Sequence, residues 1–95
     1  MLNDVKLALR ISHNALDGDI TDSIEAARQD LQLSGISSIK ANDDADHLIK
    51  RAIKTYCKAE YEEDVQKAER FRLSYDLLKN HLSLAGDYKE GVPVE

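Results

Sequence analysis

The stretch NDDADHLIKRAIKTYC, residues Asn42 to Cys57, sets three aspartates, a histidine and the chain's one cysteine within sixteen positions. Carboxylate, imidazole and thiolate are the donors that hold zinc, so Asp43, Asp44, Asp46, His47 and Cys57 raise a metal question. Helical spacing answers it. Asp43 and His47 stand one turn apart, whereas Cys57 lies ten residues beyond His47, about 15 Å along a helix axis. One ion with bonds of about 2.0–2.3 Å cannot touch both side chains. Lys50, Arg51, Lys54 and Lys58 would also surround the ion with like charge. No metal site is expected. The acids are predicted to open a helix instead, with Asn42, Asp43 or Asp44 as its N-cap and the others complementing its dipole. Asp46–Lys50 and Asp43–His47 add i,i+4 pairing.

The other chemistries fail on spacing as well. An EF-hand loop with Gly18 at its sixth position needs acids at 13, 15 and 17 and a closing glutamate at 24. The chain has His13, Ala15, Asp17 and Ile24 there. Neither a Gly-rich phosphate loop nor a G-x-S-x-G elbow occurs. His13, His47 and His81 are scattered over a loop, a polar helix face and a helix end. Cys57 borders an apolar stripe, where a free cysteine behaves as a small hydrophobe. No catalytic residue and no cofactor is expected. The strip Lys50, Arg51, Lys54, Lys58 would meet nucleic acid or a partner's acids, but no interleaved aromatics support base stacking. The nine or so residues joining the second and third helices are too many for the tight turn of a helix-turn-helix.

The elements that carry these residues read as helices. A short first helix covers about 4–10, with Asn3 as cap and Leu2 and Leu7 as its hydrophobic staple. SHNALDGD is predicted to be a loop turning at Gly18. A second helix, about 20–33, carries the stripe Ile20, Ile24, Ala27, Leu31, takes its cap from Asp19 or Thr21 and stops at Gly35. Ile36 and Ile39 in the following connection are expected to tuck under the domain. The third helix, about 44–61, buries Leu48, Ile49, Ala52, Ile53 and Tyr56. The fourth, about 65–84, buries Ala68, Phe71, Tyr75, Leu78 and Leu82, yet Leu73, Leu77 and Leu84 project from its other side. A second apolar face on one helix of a small domain points to another subunit or partner. The sequence therefore predicts an all-α fold: a helical domain over 1–85, and a flexible C-terminal tail over 86–95.

The totals agree. Ninety-five residues suit one domain with a thin core, and a chain with four Gly, one Pro and a third of its residues charged favours helix. A net charge of −5 is the wrong sign for gripping phosphates. A single Cys forms no internal disulfide and suits a reducing compartment. No apolar run reaches the roughly 20 residues that span a bilayer, and MLNDVKLALR lacks a signal-peptide core. A soluble, intracellular protein without membrane contact is expected.

The order and spacing of VKLALRI, LDGD, IEAARQDLQLSGI, HLIKRAIKTYCKAEY and FRLSYDLLKNHLSL resemble the small head–tail connector (adaptor, DNA-packaging) proteins of long-tailed phages and prophages, over about residues 2–84. The resemblance implies a structural part of the virion, assembled in the bacterial cytoplasm. It implies a ring of about twelve subunits below the portal, with each subunit using two different faces. Such a ring extends the channel through which DNA passes without specific binding, and docks the next head-completion or tail protein. Leu73, Leu77 and Leu84, with Lys50, Arg51, Lys54 and Lys58, are then the candidate interface residues. The alternative from another class is a small helical regulator that binds DNA or protein through the Lys50–Lys58 face.

Overall fold

Three of the helices owe their starts to a side chain placed to catch free backbone N–H groups. Asp46 accepts from Leu48 and Ile49 (2.9 and 3.1 Å), Asp64 from Gln66 and Lys67 (2.9 and 3.1 Å), and Ser37 from Lys40 (3.1 Å). The computed structural model describes residues 1–89. Its helices are α1 (Leu2–Leu9), α2 (Asp17–Leu33), α3 (Ser38–Ala41), α4 (His47–Tyr61) and α5 (Val65–Leu84), followed by a 3-10 turn, Gly86–Tyr88. Four are substantial and α3 is a single turn, giving the all-α bundle the sequence predicts.

Several boundaries differ from expectation, each for a local reason. The α4 cap is Asp46 and not Asn42, Asp43 or Asp44, because its extended backbone (φ −78°, ψ 118°) aims the carboxylate at the first turn. α2 begins at Asp17, so Asp17, Gly18 and Asp19 are helix and not loop, with Leu16 as the N-cap. Asp17 and Asp19 sit at its positive end, and Lys6 Nζ holds Asp17 at 2.8 Å. α1 begins at Leu2 without a side-chain cap, and Leu7 faces water, so no staple forms. Gly35 does end α2. It takes φ 102°, and Ile36 and Gly35 donate back to the carbonyls of Leu31 and Gln32, a Schellman closure. Ile36 is thereby buried, while Ile39 on α3 is 82% exposed.

α4 is the central helix and touches α1, α2 and α5. α2 buries Ile20, Ile24, Ala27 and Leu31 against Ile49, Ala52, Ile53 and Cys57 of α4, and Val5 of α1 closes the same core. Leu48 stays 44% exposed, because no helix covers that side of the first α4 turn. α5 buries Ala68, Tyr75 and Leu82, a strict seven-residue step, and leaves Phe71 and Leu78 half-buried. That narrow seam is what a helix needs when it lies along one partner.

Two buried cations tie the helices together. Lys6 on α1 reaches Asn14 and Asp17, both at 2.8 Å. Arg28 on α2 donates to the Ala41 carbonyl (3.0 Å) and to Asp44 (2.8 Å), with Glu25 at 3.4 Å. The tail's first residues are also held. Ser37 N–H donates to the Tyr88 carbonyl (2.7 Å), Lys89 forms an isolated antiparallel bridge with Ile36, and the Tyr88 hydroxyl donates to Asp46 (2.8 Å). The flexible tail expected over 86–95 is thus docked as far as Lys89, and its remainder lies outside the described residues.

Candidate functional site

The three aspartates of the Asn42–Cys57 stretch each carry a structural task. Asp43 accepts from Ala45 N–H within its own turn (3.0 Å), Asp44 holds Arg28, and Asp46 caps α4. His47 is exposed and Cys57 is fully buried. Among the described residues no three His, Cys, Asp or Glu side chains gather where an ion would fit.

Burial, and secondarily the charge of Glu60, pushes the Cys57 thiol up to about 12 from an ordinary value of 9.0. The thiolate is the reactive form, so a disulfide reagent at pH 8 should meet roughly a thousandfold less of it than in a free thiol. Cys57 should therefore stay unmodified over hours in the folded protein and react within minutes in urea. Fast labelling without denaturant would show that the α2–α4 core opens readily.

A second polar cluster joins α2 to α5. The Tyr75 hydroxyl donates to Asp30 at 2.6 Å, Lys79 Nζ lies 3.1 Å from the same carboxylate, and the Tyr56 and Tyr75 rings meet edge to face at 5.2 Å. Burial and the bond to Asp30 drive the Tyr75 phenol far above its usual range. Both bonds converge on one carboxylate oxygen of Asp30, so the cluster ties α2 to α5.

What remains open to a partner is surface. Leu73, Leu77 and Leu84 are 61, 55 and 75% exposed. At 100° per residue they fall within about 40° of arc, opposite Ala68, Tyr75 and Leu82, and span about 16 Å of α5. The basic strip is less free. Lys50 lies 3.8 Å from Asp4 on α1, and Lys58 sits over the Phe71 ring of α5 at 5.7 Å. Arg51 is exposed and Lys54 half-buried. Only part of the strip therefore faces outward.

A groove of about 800 Å³, which no local sequence pattern foreshadows, lies between the end of α1 and the α4–α5 turn. Its floor is Leu9, Ile11, Leu16, Tyr61 and Phe71, and Arg10, Lys67 and Arg70 edge it. Arg10 holds a left-handed backbone (φ 59°), alone in this among the non-glycine described residues. The groove is assembled from three separate helices, so no single sequence window contains it. Arg28 and Lys6 were missed too, although both stand where an apolar stripe would continue, at i+4 from Ile24 and Leu2.

Among the described residues the fold is all-helical, the buried cations Lys6 and Arg28 tie elements together, and α5 exposes three leucines. The chain belongs to the phage connector protein family, whose family model matches residues 1–89. No curated protein and no solved structure matches the chain. Membership makes it a structural virion component that meets portal and head or tail proteins. No helix among the described residues is long and apolar enough to cross a membrane.

Proposed function

We propose that this connector acts as a ring below the portal, extending the DNA channel and docking the next head-completion or tail protein. The observation that carries this reading is the exposed leucine stripe on α5, opposite the seam that fixes α5 to α4. A ring joins two different faces of each subunit, and the stripe gives α5 a face that its own domain does not use. The outward part of the basic strip, the exposed Arg51 with the half-buried Lys54 beside it, supplies a rim where a neighbour's acids pair. About twelve subunits is the expected number, by resemblance. The assembly takes place in the host cytoplasm and ends at the head–tail interface of the virion. Residues 1–85 act as the ring-building domain and 86–95 as its appended segment. The net charge of −5 lets DNA pass without adhering.

Leu77→Asp tests this. Circular dichroism should show an unchanged helical fold, because Leu77 is more than half exposed and lies opposite the buried seam of α5. Sedimentation and negative-stain microscopy with the portal should show assembly lost. Assembly at the wild-type level would remove the stripe from the interface. Tight DNA binding that weakens steeply with salt would instead favour a regulator. With Lys50 and Lys58 engaged inside the fold, we expect none.

A further inference from the structure

Resting on the ring reading, we propose that the groove between α1 and the α4–α5 turn receives the Val92-Pro93-Val94 segment of a neighbouring copy of this chain. The segment fits the groove in shape. Proline fixes its own φ and pushes the preceding residue to extended backbone. Bound in that form, a Val-Pro-Val run would present a narrow apolar ribbon at little entropic cost, of the kind that docks on aromatic-lined grooves. Tyr61 and Phe71 provide the aromatic lining, and Leu9 and Ile11 the aliphatic floor. Lys58 already covers part of the Phe71 ring, which leaves a slot and not an open plane.

Charge fits as well. The lining carries four cations (Arg10, Lys58, Lys67, Arg70) against two carboxylates, Glu62 and Glu63. The Glu62 carboxylate is already engaged with the Asp64 N–H at 3.2 Å. The segment is flanked by Glu90 and Glu95. Acids on either side of an apolar triplet complement a groove whose edges are basic and whose floor is not.

Reach decides between the chain's own groove and a neighbour's. Tyr88 and Lys89 are anchored on Asp46 and Ile36, beside the start of α4. The groove lies at the other end, near Lys58 and Tyr61, about 18–22 Å further along the α4 axis. Three residue steps lead from Lys89 to Val92 and cover at most about 10 Å when fully extended. The triplet cannot lie in the groove of its own subunit. Passing a segment from one end of each subunit to the opposite end of the next is a heterologous contact, the kind that closes rings.

The test uses the full chain carrying Val94→Cys and Lys67→Cys, one in the segment and one at the groove edge, oxidised with diamide. Head-to-tail exchange should give a ladder of covalent trimers and larger species on a non-reducing gel. Each single variant should stop at dimers, and wild type should give none, since Cys57 is buried. Adding Arg70→Glu should reduce the ladder several-fold. Sedimentation of the same samples reads assembly separately. A fast-migrating monomer with an internal disulfide would overturn the proposal in favour of the chain's own groove. Rings without a ladder would overturn it while the ring reading stands. A ladder without rings would support the exchange and remove the ring. Neither would remove both.

Discussion

Arg28→Ala should cost about 3 kcal/mol of folding stability, the largest loss expected from any single polar side chain here. The guanidinium is almost fully enclosed and serves three elements at once. It donates to the Ala41 carbonyl at the end of α3 (3.0 Å), to Asp44 before α4 (2.8 Å), and lies 3.4 Å from Glu25 on its own helix. Ala41 is fully buried, so its carbonyl would lose its partner where water cannot easily replace it. Asp44 is half exposed and recovers water, which keeps the estimate at the lower end for a broken buried pair. Arg28→Met separates the contributions, since it keeps the packing of the stem and removes only the donors. Urea unfolding at pH 7 should place Met between wild type and Ala. Arg28→Lys should rescue little, because one ammonium lacks the planar fork that reaches both acceptors. A loss below about 1 kcal/mol for Arg28→Ala would mean that the α2–α3 tie is dispensable.

The position of Arg28 shows which parts of this fold are legible in the sequence. The stripe Ile20, Ile24, Ala27, Leu31 follows from helical period alone, and all four residues are buried. Arg28 continues that stripe, yet nothing local tells a buried cation from one that snorkels out to water. Its acceptors lie thirteen and sixteen residues away, across a turn whose geometry is tertiary. Leu48 is the reverse case. The α4 periodicity places it beside the core face, but burial needs a neighbouring helix, and none lies there.

α5 was legible for a different reason. Helical period alone separates Ala68, Tyr75 and Leu82 from Leu73, Leu77 and Leu84, and the structure buries the first set and exposes the second. The groove and the docking of Tyr88 were not legible. Each brings together residues remote in sequence, Leu9 with Phe71 and Tyr88 with Asp46. Tertiary packing sets both distances, so neither element's own pattern records them. The same holds for Asp46 as cap. Five polar residues from Asn42 to His47 offer several acceptors, and the local backbone selects one.

The second large effect is expected at that cap. Asp46→Ala should lose about 2 kcal/mol, made of about 1 for the N-cap and about 1 for the bond from Tyr88. The Asp46 carboxylate accepts from Leu48 and Ile49 through one oxygen, while the other takes the Tyr88 hydroxyl at 2.8 Å with Lys40 at 3.6 Å. Tyr88→Phe removes only the second part, so a double-mutant cycle should show that the two losses are not additive. Burial alone would raise this carboxyl, but the Tyr88 bond, the two backbone N–H groups and Lys40 outweigh it and hold it below its ordinary 3.8. A group depressed in the folded state contributes in full above its unfolded value and loses that contribution as pH falls through the folded one. Asp46→Asn keeps an acceptor for the cap and discards the charge. Its deficit against wild type should therefore be present at pH 6 and shrink towards pH 3, read from urea midpoints. A deficit that stays constant over that range would assign the cap's strength to geometry, with the charge contributing nothing. The same titration bears on the tail. If the charge on Asp46 holds Tyr88, acid should free residues 86–89 before the helices melt, and protease cleavage there should precede the loss of helical signal.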